Sequence, residues 1–189
     1  MTPTQWLDGV LVSAESPAYR YLGTIGLTAN GVTKDTVTDR MVWNLNHPMH
    51  RPLRKLCSVT QNTNAVPGAW VPYAQDANLA VRVVTGLNSA EVELNGLGVV
   101  TAMTANSSML GIGIDINLSE PLMNVNAADL SAPVYKPGAL STRLQNRVAN
   151  RMLGLHSYHL ITYTVNDSHT FGGTVIPQNS VGLSGWVAG

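Results

Sequence analysis

Five histidines, two closely spaced glutamates, one cysteine and a short basic run are the residues of this chain whose types could do chemistry. His156 and His159 lie three apart in a segment that reads as a strand, where side chains alternate between faces, so the two face opposite sides. His169 could meet either of them across the Asn166–Ser168 turn, with Asp167 or Glu120 as an oxygen ligand. A closed zinc site wants four ligands in a tetrahedral array, and this spacing does not supply them. His47 and His50 flank Pro48-Met49 and read as a turn near an element end. Glu91 and Glu93 share one face of one strand. Glycan cleavage needs two carboxyl groups set across a groove, and a solvent-facing strand edge accounts for this pair better. No G-x-S-x-G, H-E-x-x-H, Walker or zinc-deaminase pattern occurs. Gly96 and Gly98 are a lone glycine pair in a strand setting, not a phosphate loop. The expectation is a non-enzyme with no catalytic residues, no cofactor and no metal.

Cys57 is the only cysteine, so no disulfide forms within the chain. It sits in LRKLCSVT, which alternates like a strand, and reads as a buried thiol acting as a small hydrophobe. Eleven basic residues balance eleven acidic ones, for a formal net charge of zero. That balance removes the general electrostatic case for nucleic acid or an anionic membrane. One local bias survives: HPMHRPLRK at 47–55 carries Arg51, Arg54 and Lys55 with no acid. No stretch reaches the roughly eighteen apolar residues of a membrane span, so no insertion is expected. The start MTPTQWLDG has neither a basic nor an apolar leader pattern, which suggests folding in a reducing cytoplasm.

These residues need elements to hold them. At 189 residues the chain suits one core, and 1–189 is read as a single domain. Charged residues make up only 12%, against about a quarter in ordinary domains. A surface so poor in charge fits a chain covered by copies of itself or by a larger assembly. Leu155 to Gly189 reads as three short strands in a row, LHSYHLITYTV, HTFGGTVI and SVGLSGWVA, forming an antiparallel meander. Upstream, YRYLGTIGLT, LRKLCSVTQ, AWVPY, LAVRVVTG, SAEVELNG, GVVTAMTAN and MLGIGIDINLS read as strands. Pro72 suits an edge, while Asn30-Gly31 and Asn95-Gly96 are turn signals. STRLQNRVANRM at 141–152 fits helix or strand nearly equally. Residues 120–138 read as a long irregular loop.

One segment changes period. In TKDTVTDRMVWNLNHP, Val37, Met41, Val42 and Leu45 fall at i, i+4, i+5 and i+8, one helical face. Thr33 or Asp35 could cap it and Pro48 stops it. The spacing predicts one short helix near residues 35–46, anchored on the sheet by Trp43. With about ten strands at regular spacing, the fold class expected is all-β, an antiparallel β-sandwich of jelly-roll-like type.

Two stretches carry a resemblance. DGVLVSAESPAYRYLGTIGLTANGVTKDTVTDRMVWNLNHPMHRPLRK is similar to a C-terminal β-domain family of tailed-bacteriophage virion proteins, structural and fibre-like. The likeness lies in an R-x-Y-L-G-T-I segment at Arg20 through Ile25, a D-S/T-x-x-x-R-x-V-W-N helix at Asp35 through Asn44, and an R-P-L-R at Arg51 through Arg54. HSYHLITYTV…TFGGTVIPQNSVGLSGWVAG resembles that family's closing strands, with G-L-S-G at Gly182 to Gly185. The two cover about half of the chain. The resemblance implies packed Leu22 and Ile25, a close approach at Gly23, and a helix pinned by Trp43. It turns the strand β-domain into a functional expectation: a virion structural protein on the particle surface, a decoration or capsid-attached knob protein. It would partner itself as a homotrimer, and the major capsid protein or another virion protein. Arg51, Arg54 and Lys55 would then be a docking edge. The alternative is a receptor-binding head of a tail or head fibre, in which Trp70, Tyr73 and Tyr135 would contact host surface glycan or protein.

Overall fold

The computed structural model describes residues 4–7, 10–15, 22–27, 29–44, 49–58, 61–64, 67–86, 91–102, 108–115, 142–150, 153–164, 169–172 and 181–188. These hold fifteen strands. The N-terminal ones are β1 (Thr4–Leu7), β2 (Val10–Ser13), β3 (Gly23–Ile25), β4 (Asp39–Arg40) and β5 (Val42–Asn44). Then come β6 (His50–Leu56), β7 (Gln61–Asn64), β8 (Trp70–Pro72), β9 (Ala80–Thr85) and β10 (Val92–Ala102). The last are β11 (Ser108–Ile114), β12 (Thr142–Asn150), β13 (Gly154–Thr164), β14 (His169–Gly172) and β15 (Gly182–Ala188).

Two larger sheets follow one plan. Each is built on an eleven-residue strand with one partner along one side and two partners laid end to end along the other. In the six-stranded sheet the long strand is β10, paired with β12 on one side and with β15 and then β14 on the other. β6 extends β15 and β7 extends β14. In the five-stranded sheet the long strand is β13, paired with β11 on one side and with β9 and then β8 on the other. β4 joins β9 in parallel. Two hairpin-like pairs, β1–β2 and β3–β5, form separate small sheets.

Alternation along these strands fills the core. Val92, Leu94 and Val100 of β10, Leu183 and Val187 of β15, and Leu53 of β6 share one apolar cluster with Leu110, Ile112, Tyr158, Leu160, Val81 and Val83 of the other sheet. Gly96 and Gly98 sit on that inner side of β10. A Cβ on Gly96 would meet Leu160 and Ile112, and one on Gly98 would meet Tyr73 and Leu110. The glycine pair therefore gives up side chains so that larger ones from the facing sheet can fill the space.

Three expectations are corrected. The jelly-roll-like β-sandwich is not what forms: the sheets are open, without closure into a sandwich or barrel, and the strand order is not a jelly roll. Strands laid end to end against one long neighbour leave several edges in each sheet. One pairing, β4 with β9, is parallel. The helix near 35–46 is replaced by β4 and β5. Met41 and Trp43, two apart, are both buried, whereas Val37, which should share the helical face of Met41, is exposed. The period there is two, as suits a stretch rich in Thr and Val. The helical element among the described residues is the 3-10 turn Tyr73–Gln75. The closing meander is also corrected: β14 and β15 both pair with β10 and not with each other, and β13 belongs to the other sheet.

Smaller readings divide. Asn95-Gly96 makes no turn, since β10 runs straight through it. Residues 142–150 form a strand, and Asn30-Gly31 does turn the chain, with Val32 N–H donating to the Ala29 carbonyl at 3.1 Å. Pro72 lies in β8, which pairs with β13. The expected loop at 120–138 lies outside the described residues.

Candidate functional site

The basic segment lies on β6, at one side of the six-stranded sheet. Alternation splits its three cations. Arg54 lies on the outer face of the sheet and is exposed, while Arg51 and Lys55 are half-buried on the other parity. Arg51 is engaged internally: its guanidinium reaches the Asp35 carboxylate at 2.8 and 3.2 Å and the Val42 carbonyl at 2.7 Å. Asp35 also takes Arg40 at 3.3 Å, and Arg40 donates twice to the Pro52 carbonyl. Asp39 holds Arg82 of β9 at 2.7 Å. Such pairs, part-exposed, stabilise by only about 0.2–1 kcal/mol each. Their effect is geometric: they knit residues 35–44 to β6 and β9. The backbone of β6 is held there too, Arg54 N–H donating to the Val37 carbonyl at 2.7 Å.

The three aromatics expected at a receptor surface part company. Trp70 is half-buried and packs beside Tyr163, its cross-strand partner, with ring centroids 5.5 Å apart and planes tilted by 47°. Tyr73 is fully buried, so it belongs to the core. Its hydroxyl donates to the Gly172 carbonyl at 2.5 Å and accepts the Val99 N–H at 2.8 Å, bridging two residues that face each other between β10 and β14. Its ring meets Phe171 edge-on at 5.4 Å. Burial pushes its ionisation far above the ordinary phenol range. Tyr135 lies outside the described residues.

The histidines do not converge. His156 places Nδ1 2.6 Å from Asp115 and Nε2 3.0 Å from the Leu153 carbonyl. Asp115 also accepts the Ser157 N–H at 2.7 Å, and the Ser157 hydroxyl lies 3.2 Å from His159 Nε2. Serine, histidine and aspartate are thus gathered at one end of β11 and β13. Yet the serine bonds to one imidazole and the aspartate to another. A nucleophile relay needs a single histidine between them, so this wiring does not activate Ser157. Burial holds His159 below the usual histidine range, with the Asp115 charge opposing. His169 is buried on β14, and His47, Asp167 and Glu120 lie outside the described residues. Among the described residues no group of three or more His, Cys, Asp or Glu is placed to hold a metal ion. Glu91 and Glu93 are half-buried at the start of β10, and Cys57 is a buried free thiol.

Two surfaces stand out that residue-type reasoning passed over. Leu22, Ile25, Leu27, Val32 and Val37 are exposed by between 47 and 66%, all within residues 22–37. Leu22 and Ile25 were expected to pack, and the interior is instead filled by Met41 and Trp43 further along the chain. Gly23 does allow the close approach the resemblance implied, because a Cβ there would meet the Trp43 carbonyl. The second surface is the outer face of the six-stranded sheet, where His50 and Trp186 stack with centroids 4.0 Å apart and planes within 12°. Alternation in GLSGWVA could have flagged it, since Ser184 and Trp186 fall on the parity opposite to buried Leu183 and Val187. No protein-family model matches the chain, and no curated protein matches it.

Proposed function

We propose that this chain is a structural protein of a bacteriophage virion surface, and that it acts by assembly through the apolar surface at residues 22–37. The observation that carries this reading is the exposure of Leu22, Ile25, Leu27, Val32 and Val37 in one short segment. Contiguous exposed apolar patches mark interaction surfaces, and residues 22–37 are the densest run of exposed large hydrophobics among the described residues. The segment is braced from behind by Met41 and Trp43 and by the Asp35–Arg40–Arg51 network, so it is presented on a fixed support. The low charge of the chain supports the same reading, because little self-repulsion opposes association. The resemblance over residues 8–55 and 156–189 supplies the virion setting. The partners proposed are further copies of the chain, as a homotrimer, and the major capsid protein or another virion protein. The mechanism is multivalent attachment, in which many weak contacts add up through effective concentration.

The test mixes purified protein, in parallel, with phage particles that lack it and with host cells. Saturable binding to particles and not to cells is the expected result. Binding to cells alone, abolished by soluble polysaccharide, would make the protein a receptor-binding head instead.

A further inference from the structure

The outer face of the six-stranded sheet sets an aromatic stack beside a row of polar side chains. Cross-strand register places Pro52, Trp186 and Glu93 in one row and Arg54, Ser184 and Asn95 in the next. Same-face neighbours on adjacent strands lie about 5 Å apart, and successive rows along a strand about 7 Å apart. His50 stacks on Trp186 at 4.0 Å and is itself exposed. The stack fixes both rings, so less side-chain freedom remains to be lost on binding. One row therefore presents an ordered aromatic surface. The next presents a guanidinium, a hydroxyl and a carboxamide, with the Glu93 carboxylate alongside. Planar donors and acceptors of this kind suit vicinal hydroxyls, and an aromatic ring suits the C–H face of a pyranose.

The geometry points to a carbohydrate-binding face here, taking a neutral oligosaccharide of pyranose rings laid across β6, β15 and β10. A spacing of about 7 Å between rows sets the aromatic stack under one ring and the polar row beside the next. Arg54 and Glu93 bring both signs of charge, which favours a neutral chain over a polyanion. The other aromatic pair, Trp70 with Tyr163, makes the contrast: its same-face neighbours in the register are Met109, Pro72 and Ile161, whose side chains offer no hydroxyl-binding groups. This face is separate in sequence from the apolar side chains at 22–37 and would bind wherever the protein is mounted.

The test is a titration of isotopically labelled full-length protein with maltohexaose, chitohexaose and mannohexaose, followed by nuclear magnetic resonance. At least one should give saturable shifts centred on the Trp186 indole N–H and the amides of β6, β15 and β10. Raising the salt should leave that affinity unchanged, because no net charge is paired. Trp186→Ala should weaken binding by roughly tenfold or more, Trp186→Phe should retain most of it, and Trp70→Ala should leave it intact. Unshifted core amides in Trp186→Ala would show that its fold survives. Three results would each overturn the proposal: no saturable shift with any of the three sugars, shifts centred elsewhere, or a folded Trp186→Ala that binds as wild type.

Discussion

Replacing Tyr73 with Phe isolates one hydroxyl at the junction of β10, β14 and β15. On that side β10 pairs with β15 through Leu97 and with β14 from Val99 onward, so the ladder changes partner around Gly98. The Tyr73 hydroxyl sits at the change, bonded to the Val99 N–H at 2.8 Å and the Gly172 carbonyl at 2.5 Å. Its ring fills the space over Gly98, whose missing Cβ it would otherwise strike. Tyr73→Phe keeps the ring and orphans two buried backbone groups. Each orphaned group costs about 1–3 kcal/mol, so a net loss of about 3 kcal/mol is expected. That is a large share of the roughly 5–15 kcal/mol that holds a domain folded. At about 2–4 °C per kcal/mol for a chain this long, the melting point should fall by about 6–12 °C. Urea denaturation should show a lower midpoint with an unchanged slope. A Phe variant within about 0.5 kcal/mol of wild type, the range of ordinary surface changes, would refute the bridging role. The pH response adds a second readout. The phenol ionises far above its usual value when folded, so the folded state keeps a proton that the unfolded chain loses above about pH 10. Stability should be fully present below that value and decline as pH rises through it, and the Phe variant should lack this part of the decline.

The Thr162 and Thr164 hydroxyls are buried without a hydrogen-bond partner. Thr162→Val and Thr164→Val should each raise stability by about 1 kcal/mol by removing an uncompensated polar group, read as a higher urea midpoint; a comparable fall would mean that the hydroxyls bond to buried solvent. His159 has a folded-state value below its unfolded one, so the unfolded chain binds the extra proton. Its contribution is present above the ordinary histidine range and is lost as pH falls through about 6.5. The difference in melting point between wild type and His159→Gln should change across that window, and a flat difference would contradict the assignment. Asp35→Asn removes the carboxylate shared by Arg40 and Arg51; a loss of about 1 kcal/mol is expected, with faster amide exchange concentrated in residues 35–44.

Much of the strand content was legible because alternation survives in short windows, as in MLGIGIDI and LAVRVV. The gaps have physical causes. Val37, Met41 and Val42 satisfied a helical spacing by coincidence, while Met41 and Trp43 two apart carried the actual burial. Asn95-Gly96 had the chemistry of a turn, but the glycine there answers to Leu160 and Ile112 across the core. Tyr73, expected at a receptor surface, follows β8 and is fully buried. Ala74 and Gln75 then adopt left-handed backbone, at φ 50° and 56°, and non-glycine residues do not announce that conformation in sequence. Arg51 read as a free cation because its partner, Asp35, is remote in the chain and only the folded backbone brings them together. The order of strands in each sheet depends on such long-range pairings, which local pattern does not encode.

The apolar side chains at residues 22–37 are proposed as the place where copies of this chain meet. Light scattering coupled to size exclusion at micromolar concentration tests it on wild type and on Ile25→Asn with Leu27→Asn, two exposed positions whose change should not disturb the core. Wild type should run as a trimer or larger symmetric oligomer and the variant as a monomer of 20.2 kDa. A wild-type chain that stays monomeric across the concentration range, or a variant that associates as well as wild type, would contradict it.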